Sequence, residues 1–563
     1  MLALFLAGTP AYAQERDSNC NQRPGAESGG TQLDAFQAEA TEGGAGLGYS
    51  GSVWTQHNDN SRTGQNLHET ILTPANVSSQ FGRLFTQPVD GQVYAQPLYL
   101  PHVRIPGNGT HNVVYVATEH DSVYAFDADT PASTPLWQVS FIDPANGITT
   151  VPSHDTDIAP EYGITGTPVI DRHSGTLFVV PNTSENGNIV YRLHALDVRT
   201  GAEKFAGPVL IAASVPGTGD ASAGGVLAFD AAQHLQRPGL LLMNGIVYLG
   251  FGSHADINPY HGWVLAYDAQ TLQPVAAYNT TPNGSQGAIW QSGAGLAGDT
   301  FGNIYLATGN GTFDAAFSNL GDFGDSVLKI ATGGGRTRGG SLSLVDYFTP
   351  YNQEILDIYD YDLGSGGIVL LPDQPDPYPP LLVQAGKQGT IYLLNRNNLG
   401  HYNSAGNGDP QIVQELPNAL GSDGAIAEFG LPAYWNNNVY FWSSSDVLKA
   451  YSLCHGLLSA EPTSMGTISS VYGHGPTPAI SANGRTNAIV WALLTDGAGN
   501  IGTAVLYAFD ATDVGNVLYS SDTNAGRDNP GFAVKFTVPT IADGKVYVGT
   551  LNQLSVFGLL PSD

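Results

Sequence analysis

Three aspartates, Asp357, Asp360 and Asp362, fall within six positions of the stretch TPYNQEILDIYDYDLGSGG (349–367), in a chain where only 12% of residues are charged. Carboxylates this close raise one another's pKa unless a metal, another cation or water compensates. Two readings follow. The cluster could hold a hard cation, which wants several oxygen ligands, beside a catalytic base; or it is a solvated turn, because Asp after an apolar strand is a common turn former.

The elements that must position these residues are β-hairpins. NVVYVATEHDSVYAFDADT (112–130) is two alternating apolar runs joined by a polar turn, the pattern of half-buried strands. Seven weaker copies follow, which makes eight, with equivalent large residues at Tyr115, Phe178, Tyr248, Tyr305, Val383, Tyr440, Trp491 and Tyr547. Their separations suit one four-stranded blade plus loops, and helical periodicity is almost absent. The expected fold is all-β: an eight-bladed β-propeller with four-stranded antiparallel blades. The last copy stops after its third strand, an edge that would invite aggregation. GRLFTQPV (82–89) is expected to supply the missing strand and close the ring.

In such a ring the hairpin turns and the links between blades share one face. That face gathers His120, His254, Asp256, Asn310, Asp325 and Lys387 from turns. From links it gathers Asp157, Glu161, Trp290, Asp360, Asp362 and His474. His120 and His254, with His261, would attract an anion when protonated.

Lys plus Arg number 20 against 49 Asp plus Glu, a formal net charge of -29. With no basic patch to neutralise phosphates, nucleic acid is not an expected partner. Scarce bases also limit self-repulsion once carboxylates protonate, which suits an acid habitat and equally an ordinary acidic secreted protein. MLALFLAGTPAYAQ reads as a signal peptide (1–13) cleaved after Ala13. Residues 14–50 read as a flexible leader, and 51–563 as a single propeller domain. No later run reaches the roughly 18 to 20 apolar residues of a membrane span, so a secreted or periplasmic protein is expected. Pairing of Cys20 with Cys454 is not decided by sequence.

The unit of strand, turn and VYAFDADT or VLAYDAQT resembles the repeat of pyrroloquinoline quinone (PQQ) β-propellers over residues 80–560. That family includes quinoprotein dehydrogenases of alcohols and sugars, tetrathionate hydrolases and non-catalytic scaffolds. AIWQSGAGLAGDTFGNIYLATGNGTFD is similar to the dehydrogenase segment in which a Trp floors the quinone and an Asn binds metal, which implies Trp290 and Asn310. FTPYNQEILDIYDYDLGS is similar to the segment of the catalytic aspartate. This implies Asp360 as base and metal ligand, with Asp362 where lanthanide-using members keep a second acid. AGKQGTIYLLNRNN resembles the strand whose basic residue bonds the quinone carbonyls, which implies Lys387. Asp256 is the nearest candidate for the family's metal-binding Glu, while the adjacent Cys-Cys pair and the haem motif of many members are absent.

The resemblance thus implies a secreted quinoprotein-like oxidoreductase of a small alcohol or sugar, using PQQ and Ca²⁺ or a lanthanide. Two alternatives stay open: a non-catalytic binding propeller, and a cofactor-free acid hydrolase such as a tetrathionate hydrolase. In the hydrolase, Asp360 or Asp325 would activate water, since a carboxylate is the matched base at low pH. Lys387, His120 and His254 would hold a dianion.

Overall fold

The structure, a computed structural model, describes residues 51–563 apart from 132–133, 155–156, 318–320, 334–339, 376, 422–427, 471–472, 496–501 and 562–563. The expected signal peptide, the leader and Cys20 lie outside the described residues.

The first hairpin forms where its alternation places it. Gly109–Ala117 and Ser122–Asp127 pair antiparallel with Tyr115 opposite Ala125, flanked by Leu98–Ile105 and Trp137–Ser140. The motif Asp explains the turn that follows each hairpin. Asp127 Oδ1 accepts the N–H groups of Asp129 and Thr130, and Asp197, Asp268 and Asp510 cap their own turns the same way. The repeated Tyr explains how neighbouring sheets dock. Tyr115 Oη donates to Val198 O (3.0 Å), Tyr440 Oη to Ala511 O (2.7 Å) and Tyr547 Oη to Ala128 O (3.4 Å). Each acceptor directly follows a motif Asp in the next sheet. All eight equivalent large residues are buried, at 3% exposure or less.

The chain is an all-β propeller. Among the described residues seven sheets have four or more strands, with counts of four, five and seven, beside a three-stranded sheet and a two-stranded ribbon. This corrects the expectation of eight uniform four-stranded blades to seven. The extra strands come from links: Ile148–Pro152 and Glu161–Tyr162 extend the second sheet, and Gln65–Asn66 joins Ala479–Asn483 in parallel. The three-stranded sheet arises because the last hairpin is one bent strand, Lys545–Leu559. One end pairs with Thr540–Ala542, and the other pairs with Phe81–Gln92 from Phe81 opposite Leu559 to Gln87 opposite Leu554. The N-terminal strand therefore covers the C-terminal edge, and Phe81 wedges between Trp491 and Phe557, 5.1 and 6.3 Å between centroids.

The segment just before that strand is bonded to every sheet in turn. Val53 pairs with Tyr99, and Trp54 O accepts Ile170 N–H. Asn60 bonds Leu242 O through its side chain and Gly298 N–H through its carbonyl. Ser61, Thr63 and Gly64 accept from Leu370, Tyr434 and Ile480, and Asn66 Nδ2 donates to Ile541 O. Each partner lies in a strand at the edge of its sheet, Ala479–Asn483 being at the edge but for Gln65–Asn66 of this same segment. Arg62, fully buried, fastens the segment by donating to the carbonyls of Leu296, Gln56 and Leu240. Gln56 Nε2 donates to Gly293 O (2.8 Å), in the link that carries Trp290. Among the described residues no helix is long and apolar enough to cross a membrane.

Candidate functional site

The acidic cluster is built around a helix end. The helix Gln353–Tyr359 terminates at Asp360, whose backbone is left-handed (φ 58°) and whose N–H caps Leu356 O. Asp357 Oδ1 accepts the Gly311 N–H at 2.8 Å, and Asp362 Oδ1 accepts the Asn310 N–H at 2.7 Å, so two of the three aspartates tie this segment to the TGNG turn. Asp360 Oδ1 accepts from Asn310 Nδ2 (2.8 Å) and from Lys387 Nζ (2.9 Å), and Asp362 Oδ2 meets the same ammonium at 2.6 Å. Asp362 is 5% exposed and Asp360 60% exposed. One carboxylate is thus a fixed anchor and the other faces solvent. Burial works against charge on Lys387, but Asp362 and Asp360 outweigh it and raise its pKa.

A cavity of about 250 Å³ opens beside this cluster, lined by Asp256, Trp290, Asp362 and Lys387 together with Asp157, Arg237, Phe429, His474 and Phe536. Gly309 makes the junction close: a Cβ there would stand 2.1 Å from Asp362 Oδ1 and 2.7 Å from the Trp290 ring. Asp256 accepts from Tyr260 Oη at 2.9 Å, and Tyr260 meets Trp290 edge-on. Burial and then the Asp362 charge raise the Asp256 pKa.

The donor types, though not their spacing, are those that a hard cation takes. Asp256, Asp360 and Asp362 supply carboxylate oxygens, and the buried Asn310 Oδ1 accepts no hydrogen bond among the described residues. Two features compete with a loaded site. Lys387 already bridges two of the carboxylates, and Arg237 Cζ lies 5.7 Å from the Trp290 ring centroid. Among the described residues no group of three or more His, Cys, Asp or Glu side chains converges in metal-holding geometry.

The remaining expected residues lie elsewhere. Asp325 is fully buried, does not line the cavity, and accepts the Leu363 N–H at 3.1 Å. Asp121, in the first copy of the same DSV triplet, does the same for Asn182 N–H. Both have positive φ and a pKa raised by burial, so the triplet joins one sheet to the next. His120 Nδ1 pairs with Glu161 Oε1 at 2.7 Å, and neither lines the cavity. The His254 ring packs on Tyr162, and His261 bonds Thr281 Oγ1 and Asp220 O. These histidines do not gather into one anion site with Lys387.

Sequence reasoning missed Arg237 and Lys535. Arg237 Nη1 lies 3.1 Å from Asp157 Oδ2, and Lys535 Nζ pairs with the other oxygen. Burial raises the Asp157 pKa, but these two cations outweigh it and hold it well below the usual carboxylate range. The only signal was position: both bases sit in links just before the first strand of a sheet, in a chain with 20 bases in all.

No known family profile matches the chain, and no curated protein does. Solved structures do. The quinohemoprotein alcohol dehydrogenase of Comamonas testosteroni matches with TM-score 0.56 and 14% identity, over 92% of this chain and 83% of its own. A quinohemoprotein alcohol dehydrogenase of Pseudomonas putida matches with TM-score 0.55 and 14% identity, over 91% of this chain and 82% of its own. A europium-containing methanol dehydrogenase matches with TM-score 0.56 and 14% identity, over 91% of this chain and 98% of its own. At such identity the likeness is one of fold, and this chain has the β-propeller arrangement of those dehydrogenases.

Proposed function

We propose that the protein is an exported quinoprotein-like oxidoreductase of a small alcohol or sugar. The carrying observation is convergence. Trp290, Asp256, Asp362 and Lys387, drawn from four separate stretches of the sequence, line one cavity, with Asp360 and Asn310 bonded to its edge.

PQQ would lie against Trp290 and Lys387, with Ca²⁺ or a lanthanide at Asn310, Asp256, Asp360 and Asp362; bound there, the pair would supply a two-electron acceptor held by a Lewis acid. The chain's own residues have separable tasks. Asp360, exposed and held by Asn310 and Lys387, takes the proton of the substrate hydroxyl. Asp362 fixes Lys387 from the buried side. Phe429, Phe536 and Trp290 give the cavity aromatic walls. The likeness to dehydrogenases supports this reading at the level of fold.

The test is reconstitution of the purified protein with PQQ and Ca²⁺ or a lanthanide. A quinone absorbance change and dye reduction with some member of an alcohol and sugar panel are expected. Absence of both removes the reading. Thiosulfate release from tetrathionate without cofactor, measured between about pH 2 and 7 to bracket the carboxylate range, would replace it with the acid hydrolase.

A further inference from the structure

The two copies of the DSV triplet differ in what surrounds the aspartate. Thr118 N–H donates to Ser122 O (3.0 Å) and Thr308 N–H to Ser326 O (2.9 Å), so the turns correspond and Asp121 stands where Asp325 does. Both carboxylate oxygens of Asp325 are used: Oδ1 accepts the Leu363 N–H (3.1 Å) and Oδ2 the side-chain amide of Gln353 (3.4 Å). Asp121 Oδ1 accepts the Asn182 N–H (3.1 Å), but its buried Oδ2 has no partner among the described residues. The position after the threonine differs too, being Gly309 in one turn and Glu119 in the other. The first turn therefore lacks a donor and holds a second acid.

Glu119 and Asp121 are 1% and 0% exposed. Glu119 Oε2 accepts the Gly163 N–H (2.7 Å) and the Thr165 hydroxyl (3.1 Å), whereas its Oε1 accepts nothing among the described residues. The two acids meet at Gly163, where a Cβ would stand 3.0 Å from Asp121 Oδ1 and 2.2 Å from Glu119 O. A third acceptor joins them. Asn182, 0% exposed, gives its side-chain N–H to Val190 O (3.2 Å), and its Oδ1 is likewise without a donor among the described residues. The charges that act most on Asp121 are those of Glu119, Glu161 and Asp90, all negative. Buried acceptors, and charged ones above all, are costly when nothing matches them.

We propose that Glu119, Asp121 and Asn182 form a structural Ca²⁺ site between the first and second sheets. Glu119 Oε1, Asp121 Oδ2 and Asn182 Oδ1 are oxygen ligands of the kind this cation takes. Two carboxylates balance its charge, so the buried set as a whole is neutral. With two acids rather than three, the neutral amide oxygen and water make up the rest of the shell. None of the three residues lines the cavity, so the site stands apart from the oxidoreductase reading.

The test is run on the full chain carrying Asp256→Asn and Asp360→Asn, which takes two carboxylates out of the cavity and leaves this site whole. The protein is refolded with Ca²⁺ alone in mildly alkaline buffer, where protons compete least for the carboxylates. Bound calcium is counted by elemental analysis after dialysis, and melting temperatures are compared in Ca²⁺ and in EDTA. One retained Ca²⁺ per chain and a higher melting temperature in Ca²⁺ are expected, because an ion bound only by the folded state stabilises it. Adding Glu119→Gln or Asp121→Asn should remove both the ion and the shift. Each keeps an oxygen to accept its present backbone N–H, so the fold should survive. If Asp121→Asn does not fold, Glu119→Gln decides. A protein that retains no calcium and melts alike in both solutions overturns the proposal, and protons alone then match the acceptors. An ion that Glu119→Gln leaves in place also overturns it.

Discussion

Lys387 Nζ lies 2.6 Å from Asp362 Oδ2, with only 10% of one side chain and 5% of the other exposed. A buried pair of this kind contributes little net stability when intact, but leaving one partner alone costs about 3–5 kcal/mol. Lys387→Gln should therefore lower the denaturation midpoint clearly. It should also leave the carboxylates without their internal cation, so added Ca²⁺ should raise the melting temperature of the variant more than that of wild type. Equal response of both proteins to Ca²⁺ would remove these aspartates as a cation site.

Asp360 and Asp325 should separate cleanly on substitution. Asp360→Asn keeps the shape of an exposed side chain, so stability should change by about 0.5 kcal/mol or less, while dye-linked turnover should fall by roughly 10²- to 10⁴-fold. Asp325→Asn should leave turnover within a small factor, and Asp325→Ala should cost about 1–3 kcal/mol because the Leu363 N–H loses its acceptor. The reverse pattern in parallel kinetic and urea-denaturation measurements would hand the catalytic role to Asp325.

Gly309→Ala tests the close approach of the two walls. The added methyl would meet Asp362 Oδ1 at 2.1 Å and the Trp290 ring at 2.7 Å, and relief of such overlap costs about 1–3 kcal/mol. The expected readout is a shifted Trp fluorescence spectrum together with weaker PQQ binding. An unchanged spectrum with unchanged binding would show that Asp362 is not held where the structure has it.

Stability should fall as pH rises from about 6.5 to 8.5. Burial pushes Glu119 and Glu428 up to about 8 from 4.5, and raises Asp121 and Asp325 as well. The folded chain keeps these protons after the unfolded chain has released them. Their contribution is therefore full below the unfolded value and is lost as pH climbs through the folded one. His57 and His234, pushed down to about 4 by burial, act the opposite way below 6.5, which is why the window starts there. Melting temperatures across that range should decline for wild type and flatten for a Glu119→Gln, Glu428→Gln double variant. A rising wild-type curve would count against the direction.

How far the sequence could be read depended on whether a residue's partner was local. Tyr115 and Asp127 were legible because each repeats with its motif. Trp290, Asp362 and Lys387 were named through short stretches in a recognisable order, and Asp256 only as the nearest candidate for a missing Glu. Arg237 and Lys535 were not, because what unites them is Asp157, 80 and 378 positions away. Strand number failed for a related reason. Ile148–Pro152 and Glu161–Tyr162 carry no strong alternation and become strands only by lying on an edge that another segment provides.

The segment from Val53 to Asn66 changes how the molecule should come apart. Repeat architectures usually couple each unit only to its neighbours, so that one can fray while the rest persist. Here Tyr99, Ile170, Leu242, Gly298, Leu370, Tyr434, Ile480 and Ile541 all bond to one short stretch of chain fastened by Arg62. Opening any one sheet strains a partner that the others share. Like a drawstring through the rim of a bag, the stretch converts a row of local contacts into a single cooperative unit, and its release is the step at which all the sheets become free to separate.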